Sequence, residues 1–76
     1  MVVEIAPRIV VDEAVRFGTP VIKGTRIDVA TIVGHLAAGD SVEDVMQEYH
    51  LAREDVLAAL AYAASLLSGD EIRPSE

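Results

Sequence analysis

Residues 41–67 read SVEDVMQEYHLAREDVLAALAYAASLL, and two helical patterns meet inside that stretch. Ser41 opens the first as an N-cap. Ser41-Val42-Glu43-Asp44 has the capping-box form, with Asp44 as the shorter reciprocal acceptor. Val42, Val45, Met46 and Tyr49 recur at helical spacing and form its inner stripe. His50-Leu51-Ala52 separates it from a second pattern that starts near Arg53. Glu54 and Asp55 lie in that first turn, where the helix dipole favours acids. Val56, Leu57, Leu60, Ala63, Ala64 and Leu67 form one apolar stripe, and Ala58, Ala61, Tyr62 and Ser65 line the other side. A helix apolar all round is a buried element, and its alanines permit close approach of a second helix. Ser68-Gly69 ends it. Helix, short turn, helix is the helix-turn-helix outline.

Upstream, Asp28 is a plausible N-cap for another helix, with Val29, Ile32, Val33 and Leu36 at helical spacing. Gly39 is placed to end it in the left-handed conformation. Residues before Asp28 look extended. Val2, Val3 and Ile5 form a short apolar segment, and Pro7 interrupts any ladder there. Ile9, Val10 and Val11 suit a strand, and Asp12 to Phe17 a loose helical turn. Val21-Ile22, Lys23-Gly24-Thr25 and Arg26-Ile27 read as a small hairpin, with Gly24 supplying positive φ. The expected fold is mostly α: a small N-terminal β element, then three helices with helix-turn-helix at the end, homodimeric. One domain spans 1–76, with a β arm over 1–28, three helices over 29–68 and a short polar tail over 69–76.

Composition supports dimerisation. A chain of 76 residues buries only about 60% of the surface its unfolded form exposes, and this one has no cysteine to staple it. Half of it is hydrophobic (51%) but only 4% is aromatic, so much of the apolar content is small alanine and valine. The longest uncharged run, 56–69, is too short to span a bilayer, and no basic leader precedes it. A cytoplasmic protein is expected.

The net charge is −7. In residues 1–28, Arg8, Arg16, Lys23 and Arg26 cancel Glu4, Asp12, Glu13 and Asp28. Residues 29–76 hold Arg53 and Arg73 against nine acids and carry the whole −7. The helix-turn-helix half is therefore the acidic half. That opposes the phosphate neutralisation on which nucleic-acid affinity rests. If DNA is bound, the available cations are Arg16, Lys23, Arg26 and Arg53. Arg26 reaches a partner or pairs internally with Asp28 or Asp12. Gly18 to Thr25 resembles a P-loop with its Lys and Gly exchanged, but Pro20 lacks an amide and Val21-Ile22 favour a strand, so a hairpin turn explains it better. His35 and His50 have no third ligand at a suitable spacing, and Ser41 has a capping role. No cofactor, metal or catalytic constellation is expected.

Arg8-Ile9-Val10, GTPVIKGTRI at 18–27, LAAGDS at 36–41 and EDVLAALAYA at 54–63 together resemble the domain-of-unknown-function family 433. The resemblance covers roughly Arg8 to Leu67. It implies a small dimeric helix-turn-helix protein similar to bacterial-type type II antitoxins, encoded beside a toxin with a PIN-like ribonuclease fold. The implied work is neutralising that toxin by direct binding, with no enzymatic activity. The alternatives are repression of its own operon through operator DNA, or plain dimerisation. Two departures stand out: Ala52 replaces a Ser or Thr cap, and the tail is short.

On this resemblance Arg73 and Leu66 are the expected toxin contacts. Arg73 would enter a cluster of metal-binding carboxylates through charge-assisted bonds. Ala58, Ala61, Tyr62 and Ser65 are the expected dimer seam, although Tyr62 suits the monomer core equally.

Overall fold

The β-branched runs on either side of Pro7-Arg8 pair with one another. In the computed structural model, which describes residues 1–68, β1 (Val2–Ala6) and β2 (Ile9–Asp12) are antiparallel. Val2 lies opposite Asp12, Val3 opposite Val11 and Glu4 opposite Val10, and a bulge shifts the register before Ala6 meets Ile9. Pro7, which has no N–H to give a ladder, stands in the turn, and Arg8 takes the left-handed conformation at φ 67°. Glu4 reinforces that turn by accepting from the Arg8 N–H at 3.0 Å.

β3 (Val21–Ile22) pairs with β2, Ile9 opposite Ile22 and Val10 opposite Val21, giving the order β1-β2-β3. The hairpin expected over 21–27 forms only in part. Gly24 has positive φ (81°), and the Ile22 N–H reaches the Ile27 carbonyl at 2.9 Å. Arg26-Ile27 is not a strand: beyond the Ile22–Ile27 bond, pairing on that edge continues only as an isolated bridge between Val21 and Asp28, while the other edge of Val21-Ile22 pairs with β2. The expected helical turn over 12–17 is reduced to one irregular 3-10 turn at Arg16–Gly18. Asp12 folds back on Val15, and Arg16 and Phe17 are both left-handed (φ 52° and 57°) before Gly18. That turn packs on β2 and leaves the Phe17 ring 99% exposed.

Three helices follow: α1 (Val29–Ala37), α2 (Val42–Tyr49) and α3 (Arg53–Ser68). Their ends follow from local chemistry. Asp28 caps α1 by accepting from the Thr31 N–H at 2.9 Å. Gly39, at φ 105°, ends it; its N–H reaches the Leu36 carbonyl at 3.1 Å, and the Asp40 N–H reaches that of His35 at 3.0 Å. The Ser41–Asp44 capping box closes with both bonds, 3.0 and 2.9 Å. His50 terminates α2 in the left-handed conformation, and the Leu51 N–H bonds the Met46 carbonyl.

The core lies between one face of the sheet and the three helices. Ile9, Ile22, Val29, Ile32, Val45, Leu51, Val56 and Ala59 are buried together. Val10 and Val21 are buried on the other face of the sheet.

α3 packs by a face rotated from the expected stripe. Val56 and Ala59 are buried and Tyr62 and Ala63 pack against the core, whereas Leu57, Ala64 and Leu67 are exposed. Two causes separate these. Leu57 and Ala64 point away from α1 and α2. Leu66 and Leu67 lie past the core's end, since 16 residues make α3 about 24 Å long while the nine of α1 reach about 13 Å.

At the start of α3 the Ala52 N–H donates to Asp55 Oδ2 at 3.1 Å, half of a capping box. The other half needs a hydroxyl at position 52. Ala52→Thr is expected to raise unfolding stability by about 0.5–2 kcal/mol, measured by chemical denaturation; unchanged or lower stability would contradict it.

Candidate partner-binding surface

The C-terminal half of α3 carries more apolar surface than the core covers. Ala58 and Tyr62 are half-buried against the core, while Ala61 and Ser65 are exposed. These four residues line one shallow groove with Ala6 and Pro7 of the β1–β2 turn, about 170 Å³ in volume. The other flank of Tyr62 forms a second groove, about 310 Å³, with Pro20, Val29, Val33, Ala63 and Leu66. Leu66 is 60% exposed at its open end. The structure thus gathers Ala58, Ala61, Tyr62, Ser65 and Leu66 onto one length of helix, with Tyr62 between two grooves. Arg73 lies outside the described residues.

The cations are spent differently from the sequence expectation. Arg16, not Arg26, pairs with Asp28, at 2.9 Å. The reason is the left-handed Arg16-Phe17 turn, which sequence reasoning read as helical. Lys23 pairs with Glu4 at 3.4 Å, and Arg53 pairs with Glu43 across the α2–α3 junction. Three of the four cations considered for DNA therefore face a carboxylate. Arg26 is exposed and makes no ion pair among the described residues, and it shares a concavity with Glu13, Arg16, Phe17 and Thr19. Arg8 reaches Asp55 at 2.7 Å, tying the β1–β2 turn to the start of α3.

These contacts hold several carboxyls below their ordinary range. The Arg8 N–H lowers Glu4, with Lys23 adding to it, and the Arg53 guanidinium lowers Glu43. The Ser41 N–H lowers Asp44. Asp28, only 7% exposed, is lowered chiefly by the Thr31 hydroxyl; burial opposes this, and the Thr31 N–H and Arg16 add to it.

A second polar cluster was not foreseen. His35 on α1 lies 2.8 Å from Asp40 through Nδ1 and 2.7 Å from the Tyr49 hydroxyl through Nε2. A carboxylate only accepts, so Nδ1–H donates to Asp40, while Nε2 and the Tyr49 hydroxyl share the second hydrogen bond. The two rings meet edge-on at 5.3 Å between centroids. The bracket joins the end of α1 to the end of α2. The only sequence signal was a pair of polar-tipped residues on the inward sides of adjacent helices. Among the described residues no group of three or more His, Cys, Asp or Glu is arranged to hold a metal, and no helix is long and apolar enough to cross a membrane.

This chain belongs to the family DUF433, described as "Protein of unknown function (DUF433)", whose model matches residues 9–63. That span takes in β2, β3, all of α1 and α2, and most of α3. No curated protein and no solved structure matches the chain.

The lowered Asp28 carboxyl makes stability pH-dependent with a definite sign. Ionised Asp28 is favoured by the fold, so its contribution is complete above the unfolded aspartate range of about 3.9 and fades as pH falls through the lower folded value. Asp28→Ala is expected to cost about 1–3 kcal/mol near neutral pH and to flatten this acid dependence. Asp28→Asn, which still caps, is expected to cost less. Urea titrations at several pH values measure both, and a variant as acid-sensitive as wild type would refute the assignment.

Proposed function

We propose that this protein is the antitoxin of a type II toxin–antitoxin system, a homodimer that neutralises a PIN-like ribonuclease toxin by direct binding. The observation that carries the reading is the outer half of α3. It extends past the core with apolar grooves on both sides of Tyr62, on a chain whose helical half holds all of the −7 net charge. Such a surface suits stoichiometric binding. Aromatic anchors in grooves are frequent centres of interfaces, and acidic surroundings steer toward a basic partner. A ribonuclease that holds RNA phosphates presents such basic grooves. The motifs at 18–27 and 54–63 that resemble antitoxin relatives support the same reading.

In this reading Leu66 contacts the toxin. Arg73 enters the toxin's carboxylate cluster and displaces its metal. The chain acts by occupancy and carries no chemistry of its own. Operator binding is the weaker reading, because Arg16, Lys23 and Arg53 are each held by a carboxylate.

Co-expression with the product of the adjacent gene tests the proposal. A stoichiometric complex that restores growth is expected, weakening as salt is raised. Leu66→Asp is expected to weaken it by about tenfold or more, roughly 1.4 kcal/mol. Arg73→Ala is expected to leave a complex that no longer inhibits. A folded protein that neither binds nor rescues would remove the reading.

A further inference from the structure

We infer that two copies of this chain join through β1, edge to edge and antiparallel about a two-fold axis at Val3, to make one six-stranded sheet. The inference rests on the homodimeric part of the reading above and is independent of the toxin.

The hydrogen-bond pattern identifies the free edge. The Lys23 N–H donates to the Arg8 carbonyl at 2.8 Å, while the Ile22 N–H is used by Ile27. Ile9 and Ile22 are therefore a non-hydrogen-bonded pair, and Val10 and Val21 exchange the ladder bonds. Bonding direction alternates along a strand, so Ile9 and Val11 turn their backbone groups toward β1. Val3, opposite Val11, turns its own toward β2. The N–H and C=O of Val2 and of Glu4 are left pointing outward, with no neighbouring strand among the described residues.

That edge is complementary to itself. With the two-fold at Val3, Val2 of one copy faces Glu4 of the other, and both residues present outward N–H and C=O groups. The two Val3 side chains become a close non-hydrogen-bonded pair of β-branched residues. The two Glu4 side chains sit diagonally, never opposed. The bulge beyond Glu4 ends the regular stretch and fixes the register near Val3.

The bulge after Glu4 and Pro7 close one end of this edge, and the regular stretch before them stays open. Val2, Val3 and Ile5 are 59%, 46% and 42% exposed. The single charge, Glu4, is held by the Arg8 N–H and by Lys23. The charge balance favours this half of the molecule over α3 for contact between copies. Residues 1–28 are neutral in sum, so two β arms meet without repulsion, while an α3 seam would bring together two halves of −7 each. Ala58 and Tyr62 are moreover packed on their own core.

The test uses the full chain, whose lack of cysteine makes single-cysteine crosslinking clean. Cα atoms of a non-hydrogen-bonded antiparallel pair lie about 4.5 Å apart, within the roughly 4.4–6.8 Å a disulfide spans. Val3→Cys is expected to crosslink into a dimer on mild oxidation, and Ala61→Cys is not. Val2→Pro removes one outward N–H per copy without touching the β1–β2 ladder. It is expected to weaken the dimer by about tenfold in sedimentation equilibrium with the urea midpoint of the monomer unchanged. Crosslinking through Ala61→Cys with none through Val3→Cys would overturn the inference and leave the homodimer standing. A wild-type chain monomeric at submillimolar concentration would overturn both, and neither result touches toxin binding.

Discussion

The buried carboxylate of Asp28 is the joint between the two halves of this molecule. The Asp28 backbone bridges to Val21 at the end of the sheet, while its carboxylate accepts from the Thr31 N–H to start α1 and from the Arg16 guanidinium in the turn after β2. The adjacent Val29 N–H bonds the Pro20 carbonyl. A charge at 7% exposure survives because the Thr31 hydroxyl, the Thr31 N–H and the Arg16 guanidinium stabilise its ionised form. Once α1 leaves the sheet at that point, Ile32 falls onto Ile9 and Ile22, and the core has its direction.

Asp55 makes a second joint, on the opposite side. One carboxylate oxygen accepts from the Ala52 N–H and the other from Arg8 at the tip of the β1–β2 turn. The start of α3 is thereby tied to the sheet, and the rest of α3 runs outward. Among the described residues no layer covers its far end, because α1 and α2 are short. The grooves beside Tyr62 are a consequence of unequal helix lengths in a small chain.

The charge distribution sorts the surfaces that remain. Cations cluster in the arm before Asp28 and are largely consumed there by ion pairs, while acids dominate the helices. An edge strand in the neutral arm and an apolar helix end in the acidic part can serve different partners without competing. A dimer built on the sheet would present two copies of α3 to its surroundings.

By itself the sequence determined the helix boundaries, because caps are local. Asp28, Gly39 and the Ser41–Asp44 box act within four residues of chain, and each behaves as its residue type requires. The GTRI turn and the ALAYA helix likewise sufficed for the family. What tertiary structure decided was pairing between distant segments. The local turn back to Ile27 was legible around Val21-Ile22, but their ladder with Ile9-Val10 on the other edge came from burial of Ile9 and Ile22 together against the helices. Arg16 or Arg26 could serve Asp28, and a left-handed turn that no glycine at 16 or 17 announced selected Arg16. α3 is apolar on nearly every side, so its inward face was set by where α1 and α2 lie. His35 and Tyr49, 14 positions apart, met for the same reason. Local rules fix where elements begin and end; when several partners are chemically equivalent, only the packed arrangement chooses among them.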